Sequence, residues 1–443
     1  MLEAESLKWP EDGHGSRLML DIQIFRENPG SIRADFSKRG IDDDPIDEVI
    51  RLDEGWRQIR YEVDQLRKEK NSAARGIASA KKSGDEDEFK RIMDEVSNLG
   101  EMIESLESDA RKMIEERDDI RMRIPNILHP DVPVGKDDQK NVEISRHGPE
   151  RVFSFNPKTH NEIIEENGWV DLARGAKVAG SRQYFLIGDL ARLEMALQHY
   201  ASDFLIDRAY TLVQPPLMMN RTAYEGVTDL SDFETVMYGI EPDGYHLIAT
   251  SEHPLTAMRM DEIIEPSELP IRMVGTSPCF RREVGAHGLS DRGIWRVHQF
   301  TKVEQIVICR PEDSWAMHEE LLSNAKDLWD SLGLHYRVVD ICTGDMGTVA
   351  SRKYDLEAWL PGAGAFKEVV SCSNCTDYQA NRLRMRYRTS KGNEAVHTLN
   401  STAVATSRAL VAIMEQYQTE DGGVAIPAVL QPLMSSRTHL ERI

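Results

Sequence analysis

Cys279-Phe280-Arg281-Arg282-Glu283, followed by Gly293-Ile294-Trp295-Arg296-Val297-His298-Gln299-Phe300-Thr301-Lys302-Val303-Glu304, is the pair of segments that decides the fold. The first closes an apolar stretch with an arginine and a glutamate two apart, and a loop rich in Gly, His and Asp separates it from the second. In the second, Arg296, His298, Phe300, Lys302 and Glu304 alternate with Val297, Gln299, Thr301 and Val303. That period of two sends the first set to one face of a strand. Two arginines, a ring and two carboxylates converging from a strand–loop–strand suit a phosphorylated nucleotide. The plain alternative is a salt-bridged surface hairpin, and the rest of the chain weighs against it.

With 443 residues the chain has room for two or three domains. No apolar run approaches the roughly 20 residues of a membrane span, no signal peptide is recognisable, and no membrane partner is expected. Five cysteines, an odd and sparse set, fit a reducing compartment better than a disulfide framework, so the expected location is the cytoplasm. Cys372-x-x-Cys375 offers half a zinc site, but no second Cys or His pair stands at suitable spacing, and no zinc is expected. A net charge of −21 argues against indiscriminate nucleic-acid binding. The basic residues are nonetheless concentrated: Arg67, Lys68, Lys70, Arg75, Lys81 and Lys82 stand against Glu69 alone.

That basic run lies on the first of two heptad-patterned segments. Val49, Leu52, Trp56, Ile59, Val63 and Leu66 are spaced 3-4-3-4-3, and Ala73 and Ile77 continue the series. Phe89, Ile92, Val96, Leu99, Ile103, Leu106, Ala110 and Met113 form the second, reaching Ile120 and Ile124, with Lys70 and Arg117 as polar interruptions of the seams. Sustained heptads broken by Ser83-Gly84-Asp85 predict an antiparallel helical hairpin over about 46–124, a coiled coil that projects from the rest. Pro125, Pro130 and Pro133 end it and open a linker over 126–137. Residues 1–18 lack periodicity and read as a flexible extension.

From about residue 138 to 443 the heptads give way to short apolar strands among helical segments, the pattern of an α+β domain. Leu190–Ile206 reads as a helix, followed by Tyr210-Thr211-Leu212-Val213-Gln214-Pro215-Pro216. Leu247-Ile248-Ala249-Thr250-Ser251-Glu252 reads as a strand delivering a hydroxyl and a carboxylate, or as a helix N-cap. Glu368-Val369-Val370-Ser371 ends another apolar strand, and Leu399-Asn400-Ser401-Thr402-Ala403 leads through Arg408 into an apolar helix. An arginine near a helix start opposes the helix dipole, so Arg408 is expected to meet an anion.

Taken in order, these segments resemble the class II aminoacyl-tRNA synthetases, in the form found in seryl-tRNA synthetases. The resemblance covers about 19–434. It implies a mixed, mainly antiparallel sheet flanked by helices, with 19–125 as a tRNA-binding domain whose arm grips the long variable arm of serine tRNA. The tip residues Lys68, Arg75 and Lys82 are the foremost candidates for phosphate contacts. Helix 190–206 with its following strand resembles motif 1, which implies a homodimer.

For the site, the resemblance assigns Thr250 and Glu252 to the serine ammonium and Glu304 and Thr402 to the serine hydroxyl, with Ser251 and Asn400 also in the serine site. Arg296 would meet the serine carboxylate or the phosphoester, and Arg281, shared by the serine and ATP sites, would neutralise the α-phosphate. Arg281, Arg282 and Glu283 with Val297 and Phe300 would cradle ATP, Phe300 stacking on adenine. Glu368, Val369, Val370 and Ser371 would line the phosphates, Glu368 and Ser371 holding Mg²⁺, and Arg408 would take the γ-phosphate. Where the family often has Asn-Gly-Ser, this chain has Asn400-Ser401-Thr402, which keeps the hydroxyl and adds a methyl. The implied activity is ATP-dependent serine–tRNA ligation, with the use of selenocysteine tRNA left open. A carrier-protein ligase would lack the arm, and a non-catalytic tRNA binder would lack Arg281 and Arg408.

Overall fold

The computed structural model describes residues 20–42, 44–229, 231–284 and 293–443. The extension read at 1–18 and the loop at 285–292 lie outside the described residues. The chain divides into two compact units, one of residues 1–37 and 41–124, the other of 38–40 and 125–443.

In the first unit, two short helices, α1 (Ile22–Glu27) and α2 (Pro29–Arg39), precede the long pair α3 (Ile46–Ser83) and α4 (Glu86–Arg121). Gly84 takes the left-handed conformation that ends α3, and the Asp85 side chain accepts the Glu88 N–H to cap α4. The heptad seam is the interface: Val49, Leu52 and Val63 on α3, and Ile92, Ile103 and Ala110 on α4, are all buried. Of the two polar seam residues, Lys70 is half-buried beside Gly100, while Arg117 is 4% exposed and paired.

Arg117 belongs to a charged network at the base of the hairpin. Asp53, 1% exposed, accepts Arg26 Nε (2.8 Å) and Nη2 (2.9 Å) and Arg117 Nη1 (2.8 Å). Asp118 accepts Arg117 Nε (2.9 Å) and Arg121 Nη1 (2.8 Å), and Arg121 Nη2 donates to the Leu20 carbonyl (2.6 Å). Burial pushes the Asp53 carboxyl up, but Arg26 and Arg117 outweigh it and hold it below the usual range. Buried charges are tolerated because they are paired.

The second unit is built on an eight-stranded sheet. Its strands are β1 (Val142–His147), β2 (Thr211–Val213), β3 (Ile271–Phe280), β4 (Gln299–Cys309), β5 (Tyr336–Asp340), β6 (Arg352–Leu360), β7 (Ala365–Asn374) and β8 (His397–Ala405). Their order is β1-β5-β6-β7-β8-β4-β3-β2, antiparallel throughout except that β2 runs parallel to β3. Three helices, α5 (Gly188–Ile206), α6 (Ser314–Ser331) and α7 (Thr406–Gln416), supply Leu193, Leu197, Leu328, Trp329, Leu410 and Ile413 to the main core. No helix among the described residues is long and apolar enough to cross a membrane.

Two register shifts matter for function. Between β4 and β8, Val303 faces Val404 but Glu304 faces Thr402, leaving Ala403 as an extra residue. Between β6 and β7, Leu356 faces Val370 but Glu357 faces Glu368, leaving Val369 extra. Such bulges re-aim side chains. Residues three apart on a regular strand point to opposite faces; the extra Val369 brings Glu368 and Ser371 onto the same side.

Candidate active site

A cavity of about 500 Å³ opens over the strands β4, β6, β7 and β8. Among the residues singled out from the sequence, Thr250, Glu252, Arg281, Glu283, Arg296, Val297 and Phe300 line it. Glu368, Val369, Ser371, Asn400, Thr402 and Arg408 complete that set.

The strand expected to deliver Thr250 is shorter than the sequence suggested: it ends at Leu247, and residues 248–251 turn into the helix Glu252–Ala257. Gly275 on β3 lets this helix close on the sheet, since a Cβ there would lie 2.4 Å from Leu255 Cδ1. Thr250 Oγ1 donates to Glu304 Oε1 (3.1 Å) and accepts the Glu252 N–H (3.3 Å), while Ser251, at the N-cap position, makes no side-chain capping bond. Glu252 Oε1 accepts Asn400 Nδ2 (3.0 Å) and Gln379 Nε2 (3.3 Å). Burial and the neighbouring Glu304 charge push the Glu252 carboxyl up to about 7.

Glu304 is 1% exposed and lies beneath the cavity floor rather than in its wall. It is reached through hydroxyls: besides Thr250, Thr402 Oγ1 donates to its Oε1 (3.4 Å). Lys302, which lines the cavity, forms an ion pair with it, while its buried Oε2 has no hydrogen-bond partner among the described residues. Three other residues also lie outside the lining. Ser251 is fully buried and donates to the Gly275 carbonyl (3.2 Å). Val370 belongs to the core on the far side of its bulged strand. Arg282 gives its backbone N–H to the Val236 carbonyl (2.8 Å).

The regular strand of the second segment begins only at Gln299, because Gly293–Trp295 is a turn. Alternation therefore holds for Phe300 and Lys302, whereas Arg296 and Val297 both reach the cavity. His298 instead sits with Nδ1 2.8 Å from the Arg281 carbonyl. Arg281 Nε donates to the Ala249 carbonyl (3.2 Å), and its guanidinium lies 5.4 Å from the Phe300 ring centroid. Arg296 Nη1 meets Glu283 Oε2 at 3.5 Å.

Arg408 rests against Glu368. Arg408 Nη1 donates to the Glu368 carbonyl (2.9 Å) and pairs with its Oε1 (3.1 Å). Desolvation by the surrounding cavity wall opposes ionisation of Glu368, but Arg408 and Lys353 hold its carboxyl well below the usual range. Asp355, the register partner of Ser371, is pushed up by burial and by the Glu368 charge despite Lys353 at 3.2 Å. Lys302, Lys353, Trp295 and Asp232 are lining residues with no assigned role in the sequence. Only Lys302 carried a signal, its place in the alternation.

An antiparallel sheet with a strand–loop–strand arginine on one side and a helix-start arginine on the other is the arrangement of a class II synthetase. Residues 238–417 accordingly match the family model for the tRNA synthetase class II core domain (G, H, P, S and T). Residues 19–128 match the seryl-tRNA synthetase N-terminal domain. A serine–tRNA ligase of Methanoregula boonei is 50% identical over 427 residues, covering 95% of this chain and 100% of that protein. The crystal structure of a seryl-tRNA synthetase from Pyrococcus horikoshii complexed with ATP superposes with a TM-score of 0.90 at 43% identity, covering 96% and 100% of the two chains. The cytoplasmic serine–tRNA ligase of Naegleria fowleri in complex with AMP gives 0.86 at 38% identity, covering 96% and 99%. The chain belongs to the seryl-tRNA synthetase family.

Proposed function

We propose that this cavity activates L-serine with ATP to seryl-adenylate and then passes the seryl group to the 3′ end of serine tRNA. One observation carries the reading: a carboxylate braced by two amides (Glu252) and two hydroxyls (Thr250 and Thr402) line the cavity that holds Arg281 and Arg408, and the buried Glu304 carboxylate backs the hydroxyls from beneath. Glu252 would take the serine ammonium, and Thr402, with Glu304 behind it, the serine hydroxyl. The serine carboxylate attacks the α-phosphorus and pyrophosphate leaves. Arg281 neutralises charge on the α-phosphate as it develops, Arg296 steadies the carboxylate, and Arg408 exchanges Glu368 for the γ-phosphate. Phe300 offers its ring to adenine, with Glu283 near the adenine amino group. Catalysis by positioning and electrostatics of this kind needs no covalent nucleophile. Serine-dependent pyrophosphate exchange followed by charging of serine tRNA tests the reading, and its absence with serine would refute it.

The family implies Mg²⁺. Glu368 is 47% exposed toward the cavity, Ser371 shares its side, and Asp355 beneath keeps one buried oxygen without a hydrogen-bond partner among the described residues. An all-oxygen set with few protein ligands fits Mg²⁺, and Glu368 and Ser371 would hold it. When bound, the ion neutralises phosphate oxygens.

A homodimer is supported by exposed apolar side chains on the helix and edge strand that resemble motif 1 and just beyond them: Met195 on α5, Leu212 on β2 and Met218 are 69%, 52% and 51% exposed. A second copy would cover them, and light scattering should return twice the chain mass. On the arm, Lys68, Arg75 and Lys82 are exposed, as tRNA phosphate contacts require. A grip on a long variable arm made through phosphates would also admit selenocysteine tRNA.

Two expected outcomes follow at the serine end. Because the Glu252 carboxyl titrates near 7 and only its ionised form attracts an ammonium, the KM for serine should rise as pH falls through that value. Glu252→Gln should bind serine weakly at every pH and lose this acidic limb; a limb unchanged in that variant would sink the assignment. Separately, a site built to bond a hydroxyl rejects an analogue lacking it by about 10⁴–10⁵ in favourable cases. Glu304→Ala should therefore slow activation and narrow the preference for serine over alanine. Competitive exchange assays measure this directly, and an unaltered preference would remove Glu304 from the specificity site.

A further inference from the structure

The hairpin that carries Arg281 and Arg296 is held at its base by a residue the reaction scheme does not use. Arg182 stands in the turn between the helix Leu172–Ala179 and the short strand Phe185–Leu186. Its Nη1 donates to the Glu283 carbonyl (2.9 Å), and its own carbonyl accepts the His298 N–H (3.1 Å). One residue thus bonds both limbs of the hairpin, the outgoing limb just past β3 and the returning limb just before β4. The limbs are tied to each other at the same level, the Arg281 N–H donating to the His298 carbonyl (3.0 Å).

The backbone records how tightly this junction is specified. Arg182 has φ +59° and Glu283 φ +48°, left-handed conformations uncommon for residues other than glycine. Such conformations persist where the surroundings over-determine them, and they cluster at functional sites. The turn itself is fixed from behind. At Gly175 a Cβ would lie 2.4 Å from the Gln183 carbonyl oxygen, so only glycine lets the helix pack so closely, and Tyr184 packs against the main core. Arg182 therefore joins the hairpin to a rigid wall.

We propose that Arg182 is a positioning residue for the nucleotide: it sets where Glu283 and Arg296 stand relative to Arg281. This rests on the reading of the cavity as an ATP site. Glu283 and Arg296 face each other at 3.5 Å in the cavity wall, one on each stapled limb. Removing the guanidinium frees the Glu283 carbonyl and lets the left-handed backbone relax, which moves both side chains. Arg281 keeps its separate tether to the Ala249 carbonyl, and the serine contacts stand on other segments. The signature is selective: the nucleotide loses its seat while serine keeps its own.

The test is pyrophosphate exchange by the full chain, with ATP and serine varied separately, in wild type, Arg182→Ala and Arg182→Lys. Arg182→Ala should raise the KM for ATP about tenfold or more while the KM for serine stays within about twofold, since small misplacements of positioning groups are felt strongly. Arg182→Lys should recover much of the loss, because one ammonium can reach one carbonyl. An ATP KM unmoved in Arg182→Ala, or equal rises in both KM values that lysine does not recover, would overturn the proposal. Should Arg182→Ala fail to fold, Arg182→Met against Arg182→Lys makes the same comparison. Wild type inactive with every amino acid would instead refute the reading of the cavity.

Discussion

Arg281→Ala and Arg408→Ala should each lower serine-dependent pyrophosphate exchange by about 10²–10³, the usual loss for one preorganised transition-state donor. The two arginines reach the cavity from different elements and are tethered differently, Arg281 to the Ala249 carbonyl and Arg408 to Glu368. Neither tether holds the core together, so melting temperature and tRNA affinity should stay close to wild type. The Arg408 variant has an additional expectation: Glu368 loses the cation that does most to favour its ionised form, so its pKa should rise. Phe300→Ala makes a useful contrast. Stacking acts in ground and transition states alike, so its loss should appear mainly in the KM for ATP. Near-normal exchange in both arginine variants would remove the proposed clamp.

The second large effect belongs to the arm. Deleting Tyr61–Ser108 and bridging with a short Gly/Ser turn should leave serine-dependent exchange largely intact and collapse aminoacylation. The deletion starts beyond Asp53 and ends before Arg117 because removing either would strand buried charges at the hairpin base. A milder form neutralises Lys68, Arg75 and Lys82. Each lost phosphate contact should lower the log–log salt slope of tRNA binding by roughly 0.7–0.9. Lys70 is a weaker candidate, half-buried on the seam, and Arg67 is already engaged by Glu107 across the hairpin at 2.6 Å. Unaltered charging by the shortened protein would make the arm dispensable.

Much of this was legible in the sequence because two signals are local. Heptads name their own partners, and the hairpin α3–α4 follows them with its turn at Gly84. The arginines stand at element ends, Arg281 directly after β3 and Arg408 in the first turn of α7, where chemistry-bearing residues are easiest to see. What stayed hidden depends on three-dimensional register. Val297 lines the cavity although alternation puts it opposite Phe300, because the regular strand has not yet begun. Ser251 and Val370 sit within functional segments yet face inward, as packing of the helix Glu252–Ala257 and the bulge on β7 dictate. Lys353 and Asp232 arrive from segments without any pattern, and Arg182 is one basic residue in a turn whose partners lie 101 and 116 positions away.

The extra residue on β7 makes the phase of that strand a matter of counting rather than of chemistry. Val369 can change to another apolar side chain and leave Glu368 and Ser371 where they are. Its deletion would restore a regular pleat in which Glu368 and Ser371, then two residues apart, still share the cavity face. The segment should thus accept shortening by one valine here, whereas the loss of a residue between Ser371 and Asn374 would slip the end of β7 against β8. A deletion scan across β7, read by serine-dependent pyrophosphate exchange, would show that tolerance at the bulge and nowhere beyond it.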